Sequence, residues 1–93
     1  MTIFDRDVIL RKMPKVFEWN GYRFFFFSNE GTPREPCHIH VRKGERLAKF
    51  WLDPEIRLVA AWAMTSGELN DLERIVEKKA DMIRRKWNEY FND

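Results

Sequence analysis

Lys15-Val16-Phe17-Glu18-Trp19-Asn20-Gly21-Tyr22-Arg23-Phe24-Phe25-Phe26-Phe27-Ser28 is the stretch whose reading decides the fold. Asn20-Gly21 is a strong hairpin signal, because both central residues of a type I′ turn need positive φ. Pro14 opens the first strand, Lys15 to Trp19, with Phe17 and Trp19 on one face and Val16 and Glu18 on the other. The return strand, Tyr22 to Ser28, is aromatic on both faces, which places it near a sheet's centre or against a partner.

Downstream, the segment from Asn29 to Cys37 contains Gly31, Pro33 and Pro36 and reads as a loop. His38 to Arg42 then alternates polar and apolar residues, and Arg46 to Leu52 returns. With Lys43-Gly44 as a two-residue loop, Arg42 lies opposite Glu45, Ile39 opposite Ala48 and Cys37 opposite Phe50. A three-residue loop would oppose Arg42 and Arg46, which like charge disfavours. The first register gives an apolar face (Cys37, Ile39, Val41, Ala48, Phe50, Leu52) and a second face of His38, His40, Arg42, Leu47, Lys49 and Trp51. Asp53-Pro54 ends the strand, and Ile56 to Trp62 forms the last one, with Ile56, Leu58, Ala60 and Trp62 alternating.

Thr65-Ser66-Gly67-Glu68 has the form of a capping box. From there Leu69, Leu72, Ile75, Val76, Met82, Ile83, Trp87 and Tyr90 recur at helical spacing, uninterrupted by glycine or proline. Asp81 with Arg85 and Arg85 with Glu89 have salt-bridge spacing. Residues 1–13 read as a charged lead-in and 14–93 as one domain. The expected fold is α+β: a small antiparallel sheet of about five hairpin-connected strands, packed by one long C-terminal helix.

Composition narrows the class. Ninety-three residues suit one core, and aromatics are abundant at 15%, with eight Phe and four Trp. The run Phe24 to Phe27 falls far short of the ~20 apolar residues needed to cross a bilayer. Asp5 and Asp7 stand where a signal peptide would be basic and apolar. A single cysteine permits no intrachain disulfide. These features point to a cytoplasmic protein without a membrane partner. Net charge is +2, but Arg34, Arg42, Lys43, Arg46 and Lys49 outnumber Glu35 and Glu45 around the central hairpin. Any attraction for anions should therefore sit on the sheet.

The blocks Gly21-Tyr22-Arg23-Phe24-Phe25-Phe26-Phe27-Ser28-Asn29-Glu30, Pro36-Cys37-His38-Ile39-His40-Val41 and Ala48-Lys49-Phe50-Trp51-Leu52, closed by Trp87-Asn88-Glu89-Tyr90-Phe91, resemble a bacterial domain-of-unknown-function family over roughly residues 13–92. The resemblance implies a small single-domain product encoded beside another small protein, in an arrangement like a toxin–antitoxin pair. It implies no activity.

His38 and His40 are the sharpest candidates. Two residues apart on a strand, they project from one face roughly 6.5–7 Å apart. A metal would need a third ligand, with Glu30 and Asp53 as candidates, but Arg42 and Lys49 beside the pair disfavour a cation and favour phosphate or carboxylate. The anion- or partner-binding set is thus His38, His40, Arg42, Lys49 and Trp51, with no metal and no cofactor assigned. The bland alternative makes both histidines ordinary strand residues. Trp51 divides among core, interface and base stacking. Cys37 has no base on its own face to make it a nucleophile.

Two functions follow. The first is a protein-interaction module, half of a two-gene regulatory or toxin–antitoxin-like pair. The second is an RNA-binding protein or small ribonuclease in which His38 and His40 are the catalytic candidates. A helix from Ser66 to Phe91 would span roughly 39 Å and outrun a ~20 Å strand. Trp87, Tyr90 and Phe91 then form an interface candidate, to be covered by a second copy in a homodimer, by another protein, or by Ile3 to Leu10 of the same chain.

Overall fold

The structure is a computed structural model, and it describes residues 14–27 and 35–91. The lead-in 1–13, with Ile3 to Leu10 as a helix cover, the Ser28 strand end, Glu30 and most of the proline loop lie outside the described residues.

Five strands form one antiparallel meander in chain order: β1 (Lys15–Trp19), β2 (Tyr22–Phe25), β3 (His38–Lys43), β4 (Arg46–Trp51) and β5 (Arg57–Trp62). Two helices follow, α1 (Ser66–Lys78) and α2 (Ala80–Tyr90), so the class is α+β. Asn20 and Gly21, at φ 50° and 81°, make the first turn as the sequence predicts. No helix is long and apolar enough to cross a membrane among the described residues.

The sequence predicts one helix, and the structure has two in succession. At Lys79 the backbone leaves helical geometry (φ −100°, ψ 9°), although Lys79 N–H still reaches the Ile75 carbonyl and Ile83 N–H the Lys79 carbonyl, each at 2.9 Å. The apolar positions Leu72, Val76, Ala80, Ile83 and Trp87 stay in helical step through this point, so periodicity gives no sign of it. Both segments lay that stripe on one sheet face. Phe24, Ile39, Val41, Phe50 and Leu52 meet Leu72, Val76 and Ile83 there, all eight at 0% exposure. On the outer helix face Asp81 meets Arg84 (3.9 Å) rather than Arg85, because Arg84 lies over the β4 end, bonding Asp53 (3.2 Å) and the Leu52 carbonyl (2.9 Å).

The capping box is present: Glu68 N–H donates to Thr65 Oγ1 (3.1 Å) and Thr65 N–H to Glu68 Oε1 (3.0 Å). The other carboxylate oxygen of Glu68 accepts from Tyr22 on β2 (2.5 Å) and Arg46 on β4 (2.9 Å). One residue thus caps α1 and ties it to two strands. The Tyr22 hydrogen bond holds the Glu68 carboxyl below its ordinary value and raises the phenol.

On β1 the pairing is irregular at Val16, which packs against the core with Phe17 and Trp19 rather than facing away with Glu18. Two further strand registers differ from the sequence reading. In the β3–β4 hairpin the loop is Gly44-Glu45, so Arg42 faces Leu47, Val41 faces Ala48 and Ile39 faces Phe50. Gly44 at φ 60° occupies the first central position, as a type II′ turn requires. This register sets Lys43 opposite Arg46, the kind of like-charge pair that argued against the longer loop. Both cations are drawn away, Lys43 to the Asn20 carbonyl (3.2 Å) and the Tyr22 ring, Arg46 to Glu68. The shift is two residues, so the face assignments survive it. On β5 the shift matters more. Lys49 pairs with Ala60 and Phe50 with Leu58, leaving Val59 as a bulge. Leu58 therefore faces the helices with Phe50, whereas Ala60 and Trp62 face the opposite side, and the single alternating face read from Ile56 to Trp62 does not form.

Phe50→Ala removes a ring from the centre of this core and should cost about 3–5 kcal/mol. Thr65→Ala removes only the cap and should cost about 1 kcal/mol. Urea denaturation of both variants measures the difference, and similar losses would contradict the packing described.

Candidate binding surface

Both helices lie on one side of the sheet, and among the described residues no helix or strand covers the other. The register lays it out in rows across the strands. Lys15, Phe25, His40, Lys49 and Ala60 are aligned in one row, and Glu18, Arg23, Arg42, Leu47 and Trp62 in the next. His38, Trp51 and Arg57 form a third. Between the first two rows lies a groove of about 330 Å³, walled by Phe25, Phe27, His40, Leu47, Ala60 and Trp62. Trp62 is 69% exposed, the most of any large apolar side chain described, and Leu47 (43%) and Phe27 (38%) accompany it.

The histidines do not share one environment. His38 has no exposed surface. Its Nδ1 lies 2.9 Å from the Pro36 carbonyl and 3.6 Å from Glu35. Its ring packs edge-on to Trp51 (5.5 Å) and reaches Trp87 of α2 (5.1 Å). Alternation alone sends His38 away from the helices, but it is the first residue of its strand, and the aromatic end of α2 closes over it. His40 lies against Phe25 (5.6 Å, stacked) and Phe27 (4.4 Å, edge-on). Burial, then the charges of His38 and Lys49, push its pKa down to about 3. His40 is therefore neutral at physiological pH, and His38 offers a substrate no surface.

The cations are similarly engaged. Lys49 bonds Glu35 (3.0 Å) and sits 4.8 Å over the Trp51 ring, and this bond holds the Glu35 carboxyl below its ordinary value. Arg42 donates to the Gly44 carbonyl (3.1 Å) and lies directly opposite Arg23. His38, His40, Lys49 and Trp51 are thus contiguous, with Arg42 one row away beside Leu47. At the helix end, Trp87 and Phe91 are buried against Phe26 (5.3 and 5.9 Å), while Tyr90 remains 42% exposed. Asp53 is taken by Arg84, and among the described residues no three His, Cys, Asp or Glu gather as metal ligands. Burial pushes the Cys37 thiol up to about 12, so it stays protonated and unreactive.

Sequence reasoning puts Leu47 on this face without counting it in the binding set, and it passes over Phe25, Phe27, Ala60, Trp62 and Arg23. Phe25 and Phe27 lie in a strand that is aromatic on both faces, which does not show which side stays uncovered. Alternation puts Trp62 on the strand face of Leu58, and only a bulge reverses that. No local signal marks Val59 as bulged.

Because His40 binds its proton far more weakly folded than at its ordinary value of 6.5, the unfolded chain takes up the extra proton as pH falls. Its contribution is complete above about 6.5 and declines as pH drops toward about 3. Urea midpoints at pH 7.5 and pH 4.5 should fall less for His40→Gln than for the wild type; an equal fall would remove His40 as the cause. Cys37 should react with a thiol reagent only at the rate of unfolding, checked by adding urea.

Comparison with known proteins adds one assignment. No curated protein and no solved structure matches the chain. A family model described as a domain of unknown function (DUF4160) matches residues 21–88, which takes in the meander from the first turn onward and nearly all of both helices. The chain belongs to this DUF4160 family.

Proposed function

We propose that this chain is a protein-interaction module and that its partner docks on the open sheet face. The observation that carries the reading is Trp62, exposed at the rim of an apolar groove that the chain's own helices cannot reach. An aromatic anchor beside a pocket, ringed by polar groups, is how interface energy is commonly concentrated. The rim is basic: Lys15, Arg23, Arg42, Lys49 and Arg57 outnumber Glu18, Glu35 and Glu55, of which Glu35 pairs with Lys49 and Glu55 with Arg57. A matching partner presents apolar side chains flanked by acids. A second small protein encoded nearby, the other half of a two-gene regulatory or toxin–antitoxin-like pair, fits that description.

One observation favours single-stranded RNA as a second reading. Arg23 and Arg42 stand side by side with the exposed Phe27 and Trp62 close by, and cations interleaved with aromatics on an open sheet suit stacked bases and phosphates. Cleavage is less well supported, since His40 is neutral and His38 enclosed.

The test is co-purification from the native cell, followed by reconstitution with the neighbouring gene product. Trp62→Ser and Leu47→Ser should each weaken binding about tenfold or more without altering the unfolding temperature. Undiminished binding by both variants would overturn the proposal. Recovered RNA whose affinity falls steeply with salt, and falls further in Arg23→Ala and Arg42→Ala, would establish the second reading instead.

A further inference from the structure

We propose that Arg23 and Arg42 hold the phosphate of a nucleoside 5′-monophosphate, free or at the 5′ end of an RNA strand, with its base against Phe27 and Leu47. The inference does not depend on what occupies the groove beside Trp62. Where the turns of the first two hairpins lie side by side, a separate cavity of about 300 Å³ is lined by Arg23, Arg42 and Lys43 together with Glu18, Gly21 and Gly44. Arg23 and Arg42 are directly opposed on β2 and β3, which sets their Cβ atoms about 5 Å apart. Among the described residues the one acid within ion-pair distance of either is Glu18, 3.9 Å from Arg23 and shared with Lys15 at 3.1 Å.

The turns pre-position these cations. Arg42 Nε donates to the Gly44 carbonyl at 3.1 Å, which steadies the guanidinium and leaves its two terminal nitrogens to grip an oxyanion bidentately. Gly21, at φ 81°, leaves room for Lys43, since a Cβ there would lie 3.3 Å from Lys43 Cε. Lys43 is bonded to the Asn20 carbonyl and adds its charge from the turn. Three cations thus face one acid that is already shared. A carboxylate or an internal phosphodiester brings a single negative charge to such a site. A phosphate monoester brings about −1.5 to −2 and three acceptor oxygens, enough to serve both guanidinium groups.

The surface next to this cavity selects what carries the phosphate. A neighbouring hollow of about 240 Å³ shares Arg42 and Gly44 with it and is walled by Phe27 and Leu47, both partly exposed. An exposed aromatic ring beside a phosphate site suits a stacked base. Glu45 also lines the hollow and can accept a hydrogen bond from a ribose hydroxyl. Phosphate, sugar and base then follow one another from the turns toward the middle of the sheet.

The experiment is an NMR titration of the isotope-labelled chain at low salt. Adenosine 5′-monophosphate should shift the Gly44 amide and the Arg42 Nε–H saturably. It should bind about tenfold or more tightly than inorganic phosphate, adenosine or cyclic 3′,5′-AMP, a diester. Arg23→Gln and Arg42→Gln should each weaken binding about tenfold while keeping the wild-type unfolding temperature. Arg42→Lys keeps the charge but loses the fork, and should lose nearly as much. Trp62→Ser should bind the nucleotide as wild type does, which separates this site from the protein-partner groove. A 5′-phosphorylated oligonucleotide preferred over both its 5′-hydroxyl form and the mononucleotide assigns the site to an RNA end; preference for the mononucleotide assigns it to the free nucleotide. Tighter binding of a phosphoserine peptide, arginine variants that bind like wild type, or shifts that miss Gly44 would overturn the proposal.

Discussion

The structure depends on burying one face of the central hairpin. Ile39, Val41, Phe50 and Leu52 are sealed beneath Leu72, Val76 and Ile83. A chain of 93 residues has apolar surface for one such layer, and the described residues supply one set of helices. Covering one face therefore leaves the other to water or to a partner. The surface exposing Phe27, Leu47 and Trp62 is the direct consequence of where the helices went.

What holds the layers in place is concentrated at the start of α1. Glu68 completes the capping box and also receives Tyr22 and Arg46, so the N-terminus of the helix is tied to β2 and β4. At the other end, Arg84 clasps Asp53 and the Leu52 carbonyl, and Trp87 closes on Phe26 and His38. These contacts account for a fully buried histidine in a strand that otherwise alternates cleanly. They also explain how the aromatic helix end finds much of its cover within the chain.

Charge placement separates structural from available cations. Lys43, Arg46, Lys49 and Arg84 each have a defined acceptor or ring. Arg42 donates to the nearby Gly44 carbonyl and Arg23 lies 3.9 Å from Glu18, yet both are exposed and opposed across β2 and β3. Such a pair is mildly unfavourable in isolation, and its place beside an apolar groove is why an acidic partner is proposed.

The sequence by itself determined the elements and the sidedness of the sheet. Asn20-Gly21 announced its turn, Thr65 and Glu68 their cap, and alternation from Cys37 to Leu52 its buried face, because each of these is a local rule acting over a few residues. Face assignment survived a register error because that error was two residues, an even number. Only the tertiary structure decided which side stayed open at β5, how far His38 is enclosed, and that the helix breaks at Lys79. Each of these turns on contacts between segments distant in sequence or on one bulged residue. A bulge at Val59 reverses the facing of Trp62 while leaving composition and periodicity almost unchanged, so the residue that marks the proposed binding surface is legible only once the strands are paired.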